Sequence, residues 1–155
     1  MEEDRVVQKV RAAIGDRAIY LALLLRSFAK VLPLKDVERL ARQAIYEFGM
    51  LKGKADQTKM TPQKWVNHHV TSGGADLFNS RTICEEDACE QQMTYCPLII
   101  GWQEVGCSEQ EMDLLCDIAM EVDRGRADFH GIPYEINERL AKGDSFCRLV
   151  LKEKP

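Results

Sequence analysis

Cys84, Cys89, Cys96, Cys107, Cys116 and Cys147 are the side chains of this 155-residue chain most able to do covalent chemistry. Cys96 is followed by Pro97, which reads as a cap residue and a proline at the first helical position. A thiol there faces unpaired backbone N–H groups and the positive end of a helix dipole. That setting lowers a thiol pKa and favours the thiolate, the nucleophilic form. Cys96 is therefore expected to be the most acidic of the six thiols and to act as nucleophile or polariser. The competing reading is a small thiol filling space at a helix start.

Cys116 lies on an apolar stripe with Met112 and Ala119. Asp123 follows it by seven residues, two turns of one continuous helix, and so shares its face. An inward carboxylate is desolvated, its pKa rises, and it suits general acid–base work. If the helix has turned to solvent, Asp123 pairs instead with Arg124 or Arg126. Asp117 points about 100° away from Cys116 and is expected to be more exposed. Cys147 alternates with Leu149 and Leu151 and faces their side. Cys84 and Cys89 sit among Glu85, Glu86, Asp87 and Glu90. With no second paired ligand motif, they read as free thiols in a solvated turn, and Cys107 as a loop thiol. His69 shares a face with Trp65 and could move protons near neutral pH; alternatively His68 and His69 are a solvated pair. His130 reads as a turn residue. Arg139 and Arg81 could each grip a substrate carboxylate bidentately. Trp102 walls a pocket or packs.

These residues need elements to hold them. Val6, Val7, Val10, Ile14, Ala18, Leu21, Leu25 and Phe28 recur at helical steps and predict a long amphipathic helix with that stripe inward. Pro33 ends it. Asp36 is the expected cap of a second helix with Val37, Leu40, Ala44, Ile45 and Phe48 inward, closing at Gly49 and Gly53. Thr61-Pro62 starts a third helix. Residues 81–95 suggest two short strands in a hairpin. Cys96-Pro97 opens a helix ending at Gly106. Ser108 and Glu111 form a capping box for a helix that runs through Val122 to Gly131. Tyr134 and Ile136 mark a strand, Lys142-Gly143-Asp144 a tight turn, and Phe146 to Leu151 the last strand. The implied fold is α+β, a helical part (1–75) packed on a small antiparallel sheet in a mixed part (76–155), within one domain.

The chain is long enough for one core without staples. Its net charge of −4 argues against nucleic acid. The apolar run from Ile19 to Leu32 is interrupted by Arg26 and Lys30 and falls short of the roughly 20 residues of a membrane span. The opening Met-Glu-Glu-Asp is not a basic leader. A cytoplasmic, reducing location with all six cysteines as thiols is therefore expected. Such a chain suits a small-molecule substrate or ligand and leaves room for a homo-oligomer.

Tyr95-Cys96-Pro97-Leu98, Leu114-Leu115-Cys116-Asp117 and Ala141-Lys142-Gly143-Asp144-Ser145-Phe146-Cys147 together resemble the L-2-amino-thiazoline-4-carboxylic acid hydrolase family, from about residue 80 onwards. The Gly-Asp-x-x-Cys ending is also similar to that of 4-vinyl reductase domains, which bind small molecules and often sense them. The first resemblance implies hydrolytic opening of a cyclic amidine to a carbamoyl-cysteine. For such a reaction the residue reading nominates Cys96, Asp123 and His69 as catalytic, with Cys116, Cys147, Trp102 and Arg139 around the substrate; no histidine is carried over from the family. The first resemblance also implies that Cys96, Cys116 and Cys147 share one neighbourhood, where three thiols could hold a metal, zinc first by ligand softness. The second implies a sensory module without catalysis.

Overall fold

The computed structural model describes residues 1–155. Its elements run α1 (Glu2–Phe28), α2 (Leu34–Ala55), α3 (Pro62–Thr71), α4 (Gly74–Phe78), β1 (Ser80–Cys84), β2 (Ala88–Met93), α5 (Pro97–Glu104), α6 (Glu109–Ala119), α7 (Glu121–His130), β3 (Tyr134–Glu138), a 3₁₀ turn (Leu140–Lys142) and β4 (Cys147–Lys152). All strand pairs are antiparallel, in the order β1-β2-β4-β3. This is the expected α+β architecture. No helix is long and apolar enough to cross a membrane.

Local signals act as the chemistry of caps and turns requires. The Thr61 hydroxyl accepts from the Lys64 N–H at 3.2 Å, with Pro62 in the first turn. The Ser108 hydroxyl accepts from the Glu111 N–H at 3.1 Å and starts α6. Cys96 is the N-cap of α5 ahead of Pro97. β1 and β2 form the hairpin, with Cys84 opposite Cys89.

The expected inward faces of α1 and α2 are only partly right. α1 buries Ala18 and Ala22, whereas Val6, Val10 and Phe28 are exposed. α2 begins at Leu34 after Pro33, not at an Asp36 cap, and Leu40 and Phe48 face outward. Gly49 does not end α2. It lies against α7, where a Cβ would strike the Val122 carbonyl, and a Cβ on Gly125 would strike that of Tyr46. The two backbones touch, and only glycine permits it.

The single helix expected from Ser108 to Gly131 is two. Met120 ends α6 and begins α7. The Asp117 carbonyl, which a continuous helix would give to an amide one turn on, accepts from the Arg124 guanidinium at 2.9 Å. A side chain inserted in the ladder breaks it.

Two clusters make the core. One joins α1, α5, α6 and the 3₁₀ turn through Ala18, Trp102, Leu115 and Cys116. The other joins α3, α7 and the sheet through Trp65, Ala127, Leu149 and Leu151. The inward sheet face carries Cys89, Gln91 and Met93 on β2, opposite Leu151, Leu149 and Cys147 on β4.

Candidate functional site

Cys96, Cys116 and Cys147 come from a helix cap, a helix interior and the start of the last strand, and they meet. Each of Cys96 and Cys116 feels the charge of Cys147, and Cys116 also feels that of Cys96. Cys116 and Cys147 are buried and Cys96 is half-buried. The Leu140 N–H donates to Cys147 Sγ at 3.3 Å.

The amides of Leu98 and Ile99 do favour the Cys96 thiolate, as the cap position demands. Burial outweighs them, and the thiol is pushed up to about 11. The expectation of an acidic Cys96 is therefore wrong, because the cap lies under protein and a helix terminus offsets only about 1–2 kcal/mol of desolvation. Burial pushes Cys116 up to about 12, against the pull of Arg139. Cys147 is raised by burial too, and Cys107 by burial and by Glu111. At neutral pH the three clustered groups are uncharged thiols.

A recess of about 380 Å³ opens between α5, α6 and the 3₁₀ turn; none of the three thiols lines it. Its wall includes Ile99 and Leu140, whose amides face Cys96 and Cys147, together with Met112, Asp113, Ala141 and Lys142. Lys142 is the cation on that wall and is exposed. The sequence reading passed over Lys142 and Asp113; only the fold of the 3₁₀ turn against α6 brings them to one opening.

Arg139 does not present a free guanidinium. It is held by Asp113 at 2.7 Å and by Asp117 at 3.5 Å. Asp117 is not the solvent-facing residue expected: Arg42 and Arg124 each bind it at 2.7 Å, and these partners hold its carboxyl below the usual range. Arg81 lies on the outer sheet face, bonded to Gln92 at 2.6 Å, away from the recess. Trp102 is fully buried and donates to the Ala18 carbonyl at 2.9 Å, so it packs α5 on α1 and walls no pocket.

Asp123 is turned inward, with its carboxyl raised by desolvation, as expected for an inward carboxylate. Its partner is the Tyr134 hydroxyl at 3.4 Å. The break at Met120 removes the straight helical face it was to share with Cys116. Tyr134 lies between them, close enough to Cys116 to feel its charge. The inward phase of Tyr134 beside Ile136 was the available signal, since a buried phenol needs a polar partner. His69 bonds Ser80 at 2.9 Å and packs on Phe78, and burial lowers its pKa; no hydrogen bond joins it to Cys96.

One further expectation fails. Cys84 and Cys89 form a disulfide, with Cα atoms 4.1 Å apart in directly paired strand positions. The turn between them places both side chains on one face, which composition alone does not show. No group of three or more His, Cys, Asp or Glu side chains is arranged to hold a metal ion.

His130 is no plain turn residue. Its Nδ1 accepts from the Met60 N–H at 3.1 Å and its Nε2 bonds Asp56 at 2.8 Å, while Arg126 grips Asp56 at 2.7 and 2.8 Å.

The chain is thus an α+β domain with three clustered thiols. Over residues 11–151 the sequence matches the family described as L-2-amino-thiazoline-4-carboxylic acid hydrolase, and the chain belongs to that family. The match takes in most of the helical part, not only the C-terminal half. No curated protein matches the chain. Among solved structures it is similar to a trafficking protein particle complex subunit 3 from Naegleria fowleri, described as covalently bound to palmitic acid. Identity is 12%, the TM-score is 0.61, and the likeness covers 93% of this chain and 96% of that one. At that identity the likeness concerns the fold. The comparisons lend no support to the 4-vinyl reductase resemblance.

Proposed function

We propose that the chain is a hydrolase that opens a small cyclic amidine carboxylate of the thiazoline type, with Cys96 as its nucleophile. Family membership supports the reaction class. The observation that supports the reading is that two residues lining the recess, Ile99 and Leu140, hydrogen-bond through their amides to Cys96 and Cys147.

A thiol at about 11 is a poor nucleophile alone. An amidine is a base, and it takes the thiol proton as the bond from Sγ to the amidine carbon forms. Charge is then made only when the substrate is present. One ring bond from that carbon, to nitrogen or sulfur, breaks, and the departing atom takes a proton. Water adds to the same carbon and expels Sγ, which regains its proton. The net change is one water added, giving a carbamoyl-cysteine. Lys142 holds the carboxylate. Asp123 and Tyr134 form the proton-carrying pair on the Cys116 side.

The test is incubation with 2-amino-thiazoline-4-carboxylate and mass detection of carbamoyl-cysteine. Turnover is expected, with Cys96→Ser inactive and Lys142→Ala raised in KM. Full activity in Cys96→Ser would refute the assignment.

The fold likeness to a protein carrying covalent palmitic acid, together with a neutral thiol in apolar surroundings, supports a second reading, an acyl carrier without turnover. In that case palmitoyl-coenzyme A adds one acyl group to Cys96, readable by intact mass, and the thiazoline is untouched.

A further inference from the structure

β2 puts Cys89, Gln91 and Met93 on the inward face of the sheet. A third apolar side chain would complete that stripe, yet the middle position carries a carboxamide that is 2% exposed. The chain has two buried polar side chains, Gln91 and His130. Both ring nitrogens of His130 are hydrogen-bonded. Gln91 Nε2 is shut off from solvent, and no group of the protein accepts from it. Asp113 Oδ1 and Glu138 Oε2 are also buried without a hydrogen bond, but Asp113 has Arg139 at 2.7 Å and Glu138 is only half-buried. A buried donor without an acceptor is costly, and folded chains break that rule chiefly at functional sites.

The sheet register shows what lies beside Gln91. Gln91 pairs with Leu149 and Met93 with Cys147. Gln91 and Cys147 are therefore diagonal neighbours on one face, within reach of a long side chain. Cys147 in turn is close enough to Cys96 and Cys116 for its charge to be felt by both. The amides of Leu98, Ile99 and Leu140 are already engaged by the sulfurs of Cys96 and Cys147. Gln91 is the donor left free beside them.

We propose that Gln91 is a ligand-binding residue of the thiol site, its Nε2–H donating to the oxygen of a carbonyl-type carbon bonded to, or leaving, a cysteine sulfur. The inference rests on the reading that the thiols carry a ligand. In the hydrolase that oxygen arrives with the water that expels Sγ, and a donor fixed in a site closed to solvent stabilises it as the carbamoyl group forms. In an acyl carrier it is the thioester oxygen. Gln91 gains and loses no proton in either case.

Gln91→Met keeps the length of the side chain and removes the amide, which separates this role from packing. The ligand-free variant should gain roughly 2–4 °C in Tm. With 2-amino-thiazoline-4-carboxylate its kcat should fall about 100-fold at unchanged KM, because the accepting oxygen reaches the amidine carbon only with water. With palmitoyl-coenzyme A its Cys96 thioester should form about tenfold more slowly. Thr82→Val, directly opposite Gln91 on β1, should leave both rates unaltered. A wild-type chain that takes neither molecule would remove the reaction assigned to it and still leave Gln91 open to test. Iodoacetamide then places a carboxamide on Cys96, and that adduct should lower Tm by at least about 2 °C less in the wild type than in Gln91→Met. Equal shifts in that case would overturn the proposal. So would a ligand-free Gln91→Met less stable than the wild type, or one that matches the wild type in kcat and acylation rate.

Discussion

The thiol cluster and the Asp56 cluster are both buried groups that titrate, and they answer burial in opposite ways. Asp56 has Arg126 and His130 as hydrogen-bonding partners, and they hold its carboxyl below the usual range despite desolvation. Cys96, Cys116 and Cys147 have mostly one another, and desolvation raises all three. A buried charge with partners is committed to structure. Buried groups without a counter-charge stay neutral and respond to whatever enters. That difference is why the proposed chemistry is assigned to the thiols rather than to the His130–Asp56 pair.

Removing a partner should break the first cluster. Asp56→Ala leaves Arg126 and His130 unpaired, at side-chain exposures of 14% and 3%, and should cost about 3 kcal/mol in denaturant unfolding. The depressed Asp56 carboxyl contributes stability that is complete above its unfolded pKa near 4 and is lost as pH falls through its lower folded value. The wild-type chain should therefore lose stability below about pH 4 more steeply than Asp56→Asn. An unchanged acid limb would place the stabilisation elsewhere.

A covalent partner sharpens the contrast within one residue type. Titration of thiols in denaturant without reductant should find four, since Cys84 and Cys89 are joined. Replacing both with serine should cost about 2 kcal/mol, by the entropy of so short a loop.

Asp123 is the carboxylate counterpart of the thiols. Its folded pKa is raised, so its stabilising effect is complete below about pH 4 and fades as pH rises through the folded value. Asp123→Asn should then be neutral or stabilising by up to about 1 kcal/mol at pH 7. A loss of stability larger than that would show an ionised carboxylate paired in the fold.

What the sequence disclosed follows the reach of each signal. Thr61-Pro62, Cys96-Pro97, Ser108 with Glu111, and the residues of the hairpin act within a turn or two, and each was legible. So was the meeting of Cys96, Cys116 and Cys147, which the phase of Cys116 and Cys147 and the family resemblance both indicated. The break at Met120 depends on Arg124 reaching back to Asp117, and Asp56 with His130 spans 74 residues. Neither leaves a periodic trace. The outward face of α1 was misread for a related reason. The helix carries apolar residues on two sides, and a stripe chosen by spacing alone could not show which side α5 covers.

The central claim is that Cys96 rests as a neutral thiol until a basic ligand arrives. Alkylation of Cys96, mapped by peptide mass as a function of pH, tests it directly. The rate should climb about tenfold per pH unit through pH 9.5 without levelling, in line with a pKa of about 11. A plateau at or below pH 8.5, the range of an ordinary cysteine, would show a thiolate already formed in the free protein and would contradict the account.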